Sequence, residues 1–165
     1  MSQGTMTHGK ALQLILMTIV GVGGFLVLSG ALGLESVWVP FLFLTYWAGI
    51  DLMNFERLPA CILGPFVALT VAYGFRVLPT MMGPMGVHLV QVVVLGMVYL
   101  LILGRLSAFI NLVGFITLTV TTIPVIMQTA SFPMLYASLA LGVVYFPSLI
   151  WIGQQIDARR RRPAV

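Results

Sequence analysis

Six long apolar stretches, separated by short polar or proline-containing breaks, run through this chain. The most informative is Leu106 to Met127, apolar and long enough to cross a bilayer as one helix, yet carrying Asn111, Gly114, Thr117 and Thr121. At 100° per residue these four share roughly a third of a helix circumference. Lipid offers such a stripe no partner, so it must turn toward other helices or toward water.

The other stretches read in the same way. Ala11 to Leu32, with Gly21, Gly23, Gly24 and Gly30, is span 1. It follows Lys10 as a signal peptide would, but it is too long for a signal core and no small-x-small cleavage site follows it. Span 2, Val37 to Ile50, is short at about 21 Å of helix. Trp38, Tyr46 and Trp47 bracket it as interfacial anchors, so it reads as a thin full crossing in preference to a re-entrant half-helix. Span 3 covers Leu58 to Val77, with Pro65 expected to bend it, and Pro79 to Pro84 forms a turn. Span 4 covers Met85 to Leu103, the stretch described first is span 5, and Phe132 to Ile152 is span 6, bent at Pro147. The expected fold is an all-α membrane protein with six transmembrane helices. A lead (1–10) precedes a membrane domain (11–153), and a basic tail (154–165) follows it.

Composition sharpens the class. Hydrophobic residues make up 60% of the chain and charged residues 7%, against roughly 25% charged in soluble domains. Mean hydropathy is +1.09. Six crossings of about 20 residues leave no room within the sequence for a fused soluble module. The net charge of +4 comes largely from the tail, Arg159, Arg160, Arg161 and Arg162. Directly after a span, that cluster reads as a topology signal or anionic-lipid contact, and no nucleic-acid partner is expected. With the N-terminus in the cytoplasm, six crossings put Lys10, Arg57, Arg105 and the tail inside, seven of the eight basic residues, with only Arg76 outside. Both termini are then cytoplasmic.

The two halves also align weakly. Leu32-Gly33-Leu34-Glu35-Ser36-Val37-Trp38-Val39 lies over Leu103-Gly104-Arg105-Leu106-Ser107-Ala108-Phe109-Ile110, and an offset three residues longer brings Leu58-Pro59 onto Phe132-Pro133. Three-span units at 11–78 and 82–153 would be inverted repeats, because an odd number of crossings turns the second copy over. Spans 2 and 5 become counterparts, with Thr45 and Tyr46 facing the Asn111 stripe. The run from Gly30 through Trp38 and Phe41 to Tyr46-Trp47, together with Ala137-Ser138-Leu139-Ala140-Leu141-Gly142, resembles the small bacterial inner-membrane proteins of domain of unknown function ten-ninety-seven. Their pattern has a glycine- and proline-rich start at span 5, where this chain has Asn111 and Leu112. The resemblance implies a bacterial inner (plasma) membrane location and brings no catalytic residues.

Candidate chemistry is sparse. His88 and Gln91 lie three apart in span 4 with Tyr99 near the same face. Burying either without a partner costs roughly 4–8 kcal/mol on a water-to-cyclohexane scale, so this face is expected to look into the bundle. Met81, Met82 and Met85 have thioether spacing suited to Cu(I), but no His or Cys cluster accompanies them. Cys61 is the only cysteine, which excludes an intrachain disulfide. No nucleophile–base pair can be assembled, so no enzyme, cofactor or metal is expected. The functional expectation is a channel or simple transporter for a small neutral or weakly charged solute, forming a homo-oligomer. Its path would be lined by Thr45, Tyr46, His88, Gln91, Asn111, Thr117 and Thr121. The alternative is a non-transporting structural or accessory subunit whose polar faces hold helices together.

Overall fold

A computed structural model describes residues 8–160; Arg161 and Arg162 of the basic tail lie outside it. Seven helices and no strand occur among the described residues: α1 (His8–Ala31), α2 (Trp38–Gly49), α3 (Leu58–Met82), α4 (Pro84–Ile102), α5 (Leu112–Thr121), α6 (Pro124–Thr129) and α7 (Phe132–Arg160). The all-α expectation holds, and the apolar helices mark a membrane protein. Of these helices, α3, α4 and α7 are long and apolar enough to cross a membrane, and the apolar part of α1, Ile15–Ala31, is somewhat shorter.

Six uniform transmembrane helices are not what forms. At 1.5 Å per residue, α2 is about 18 Å long and α5 about 15 Å, against a hydrocarbon core of about 30 Å. The stretch Leu106 to Met127 is broken at both ends for local reasons. Leu106 sits at φ 56°, so the chain turns there instead of entering a helix. Asn111 is extended (φ −145°, ψ 172°) and caps α5, its side chain accepting from the Gly114 N–H. Proline at 124 forces Ile123 out of helical geometry (φ −57°, ψ 128°), which ends the run and starts α6. Elsewhere the helices outrun expectation. Pro79 lies inside α3, which continues to Met82, so the turn shrinks to Gly83 alone. α7 continues well into the predicted tail.

Counting α5 and α6 as one broken rod, successive elements alternate in direction. α3 and α4 form a tight antiparallel hairpin, Gly86 lying against the Leu78 and Pro79 backbone and Gly74 against Val90. α5 runs parallel to α3, with Asn111 at Ala60 and Gly114 at Gly64. Beyond α6 the chain meets α3 again where Arg76 donates to the Ala130 carbonyl at 3.0 Å. Between Ala60 and Arg76 lie about 24 Å of helix, so the α5–α6 segment travels most of the length of α3 as a broken rod. α7 returns antiparallel to α3, Phe132 packing on Tyr73 and Tyr136 on Phe66. α1 runs antiparallel to α7, where Tyr145 donates to the Gly21 carbonyl at 3.0 Å. α2 begins with Pro40 against Gly142 and ends near Cys61, at the start of α3.

Phe25, Phe43, Trp47, Leu69, Phe132, Leu135 and Leu139 fill the centre where these elements meet. Small residues set the closest approaches: a Cβ on Gly114 would stand 2.8 Å from the Gly64 carbonyl oxygen. Gly114→Ala should therefore lower stability in detergent by about 1–3 kcal/mol, the usual cost of overpacking. Gly96→Ala, with nothing within 4 Å, should be neutral or mildly stabilising. Comparative thermal unfolding of the two variants checks this.

Candidate functional site

The polar residues of greatest interest gather where α5 meets α3. Asn111 uses both ends of its carboxamide: Nδ2 donates to Ala60 O at 2.7 Å and to Ser107 O at 3.2 Å, and Oδ1 accepts from Gly114 N at 3.0 Å. The last bond satisfies one of the orphan donors of a helix start, and the first ties α5 to a neighbouring helix. The carboxamide fits there because Gly64 leaves it room; a Cβ at 64 would overlap it.

The stripe predicted on this segment does turn inward. Gly114, Thr117 and Thr121 are buried against the rest of the bundle. Their hydroxyls are nevertheless spent within their own helix. Thr117 Oγ1 donates to Val113 O at 2.9 Å, and Thr121 Oγ1 to Thr117 O at 2.7 Å. Thr119 and Thr122 make the same kind of bond, to Phe115 O and Leu118 O. This back-bonding leaves each hydroxyl only acceptor capacity.

The remaining predicted lining residues stand elsewhere. His88 and Gln91 are exposed and face outward, a correction to the inward face expected of them. The cause is the α3–α4 hairpin, which buries Gly86, Val90 and Met97. His88 then lies about 200° around the helix from Gly86, and Gln91 about 140°. The two side chains find each other, Nδ1 to Oε1 at 3.3 Å. Tyr99 is 63% exposed on the same side. Thr45 is also exposed, because α2 buries Val39, Pro40, Phe43 and Trp47 and turns position 45 away. Tyr46 is half-buried near the end of α2. Asn111, Thr117 and Thr121 thus form one cluster, and His88 with Gln91 a separate outward pair.

Two open cavities flank α6, and none of the seven residues lines either. One, about 540 Å³, lies at the α5–α6 break among Phe75, Val94, Phe115, Thr119, Thr122 and Gln128. The other, about 520 Å³, lies between the end of α3 and the start of α7, with Arg76 in its wall.

A polar knot at the opposite end of α3 escaped the sequence reading. Cys61 Sγ donates to Asp51 Oδ2 at 2.9 Å, and Trp47 Nε1 to Asn54 O at 2.9 Å. Leu52 and Met53 both adopt positive φ (50° and 59°) to close this loop. Nothing in the residue types signals those conformations, since Gly or Asn is the usual occupant.

Asn111→Ala should cost about 1–3 kcal/mol, because it uncaps α5 and removes its hydrogen bond to the Ala60 carbonyl of α3. Urea or thermal unfolding of the detergent-solubilised protein measures the loss; a change under 0.5 kcal/mol would contradict the anchoring role. No family model matches the chain, and neither a curated protein nor a solved structure is significantly similar to it.

Proposed function

We propose that this chain is a six-pass protein of a bacterial inner membrane, acting as a non-transporting structural or accessory subunit. The observation that carries the subunit role is the closed polar stripe: Thr117 and Thr121 are 0% exposed and back-bonded. Asn111 is likewise occupied by three partners. The threonines are closed within α5, and Asn111 fastens it to α3 through Ala60 O, an interhelical polar contact of the kind worth about 0.6 kcal/mol in membranes.

Alternating directions support six passes, with α5 and α6 together making the fifth and α2 a thin second. On that reading Lys10, Arg57, Arg105 and Arg159 lie at one end of the bundle and Arg76 at the other. The positive-inside bias then assigns the first end, with both termini, to the cytoplasm. Two features support the inverted repeat. α1 and α4 end in the same Schellman geometry: Leu34 N to Ser29 O with Gly33 N to Gly30 O, and Arg105 N to Leu100 O with Gly104 N to Leu101 O. Every atom pair is offset by 71 residues, and Gly33 and Gly104 have φ of 68° and 65°. The packing partners also exchange, α3 lying on α4 and α5 while α7 lies on α1 and α2. The resemblance to the inner-membrane family named above fits this reading.

The outward His88–Gln91 pair gives the subunit something to dock with. In hydrocarbon, a histidine and a glutamine with unused hydrogen-bonding capacity favour a second polar helix face, and a second copy of this chain supplies one. A second reading, a channel or simple transporter for a small neutral solute, draws support from the 540 Å³ cavity at the α5–α6 break and from paired short helices, a feature of inverted-repeat carriers.

Two measurements separate these roles. On a Cys61→Ser background in proteoliposomes, Thr117→Cys and Thr121→Cys should resist a water-soluble maleimide; rapid labelling of both overturns the subunit reading in favour of a conducting path. In the same background, His88→Cys should give an oxidative cross-linked dimer within the bilayer, whereas Thr45→Cys, exposed on a different helix, should not.

A further inference from the structure

Arg76 is the basic residue that the topology does not explain, and its surroundings differ from those of the tail. It stands in the wall of the roughly 520 Å³ cleft between the last turns of α3 and the start of α7, among Tyr73, Thr80, Ala130, Ser131 and Phe132. One guanidinium N–H is held by the Ala130 carbonyl at 3.0 Å, and the carbon of the guanidinium lies 5.9 Å over the Phe132 ring. These two contacts fix the plane of the fork without neutralising its charge. The remaining N–H groups are free to serve a ligand, since guanidinium carries five donors.

No acidic side chain lines the cleft. Thr80 and Thr129 donate their hydroxyls to Val77 O and Val125 O, so each can only accept. The donors left for a guest are Arg76 and the hydroxyls of Tyr73 and Ser131. A preoriented cation without a counter-charge, flanked by hydroxyl donors in an open cleft, is chemistry for an oxyanion that can give two oxygens to the fork and keep others for the hydroxyls. A phosphate's further oxygens can meet the Tyr73 and Ser131 hydroxyls as well as the fork, whereas a cationic guest finds no counter-charge here.

We infer that this cleft binds a phosphate-type oxyanion, with the Arg76 guanidinium forking two of its oxygens and Tyr73 and Ser131 completing the set. The group can arrive as the headgroup of an anionic phospholipid or as free phosphate, and the experiment separates these. The site is distinct from Arg159, which lies at the other end of α7.

The test uses the full-length protein in a neutral detergent, carrying Arg159→Gln, Arg160→Gln, Arg161→Gln and Arg162→Gln to remove lipid binding by the tail. Thermal shift and native mass spectrometry are read with phosphatidylglycerol, phosphatidylcholine or inorganic phosphate added. Retention and stabilisation by phosphatidylglycerol, weakened about tenfold or more by Arg76→Gln, support a headgroup site. The same Arg76-dependent response to inorganic phosphate supports a soluble source. Arg76→Lys keeps the charge but not the fork, so it should recover only part of the affinity. Should Arg76→Gln misfold, Tyr73→Phe with Ser131→Ala removes the neutral donors while leaving the Ala130 tether, and should weaken binding several-fold. Equal responses in all variants, or no response to either anion in the parent, overturn the inference.

Discussion

A backbone amide in hydrocarbon has no water to fall back on, and that constraint decides how this chain is built. Wherever a helix is interrupted, the orphaned groups must find partners inside the protein. The α5 start is the clearest instance. Its first turn is served by one carboxamide, which also reaches a carbonyl of α3. That arrangement needs close approach, and the Gly64–Gly114 contact provides it. Remove the small residues and the amide cannot reach; remove the amide and the short helix loses its anchor. The junction of α5 with the start of α3 is therefore organised by a polar contact that small residues make room for, and the apolar core packs beyond it.

The same logic explains why so little polarity is left over at the centre. Each threonine of α5 is bonded to a carbonyl one turn back, which suits a helix too short to gain much from its own hydrogen-bond ladder. Ser29 and Ser138 are the exceptions, buried hydroxyls with no partner. Serine is small enough that both still serve the packing, Ser138 beside Leu139 and Leu135 on the face of α7 that enters the core.

Much of the architecture could be read from residue order alone. Apolar run lengths located α1, α2 and α4 to within three residues and the starts of α3 and α7, which then run five and eight residues further, because such runs have few alternatives in a chain this poor in charge. Reading Leu106 to Met127 as one rod failed for an identifiable reason: Pro124 pushes the residue before it out of helical geometry, and Asn111 is a preferred N-cap residue, so both breaks were written in the sequence but outweighed by total hydrophobicity. The inward stripe of Gly114, Thr117 and Thr121 was legible from periodicity. The orientation of His88 and Gln91 was not, because polarity argued for burial while the glycines at 74 and 86 dictated which side of α4 meets α3. Close backbone approach outranked the burial of two polar side chains. The Cys61–Asp51 contact had no signal at all, since it depends on two residues in left-handed geometry that no residue type advertised.

The interruption at Ile123 and Pro124 carries a consequence for how the protein reaches its final form. A biosynthetic insertion apparatus weighs greasiness over a window of about 20 residues, and over that window Leu106 to Met127 qualifies as a single unit. The folded molecule divides it into two rods of 10 and 6 residues, each far below the length that is stable in isolation. The division can become permanent only when α2 and α3, the helices α5 packs against, are already there to receive it. Assembly of the second half thus waits on the first, whose α2 and α3 supply the surfaces on which the divided segment settles.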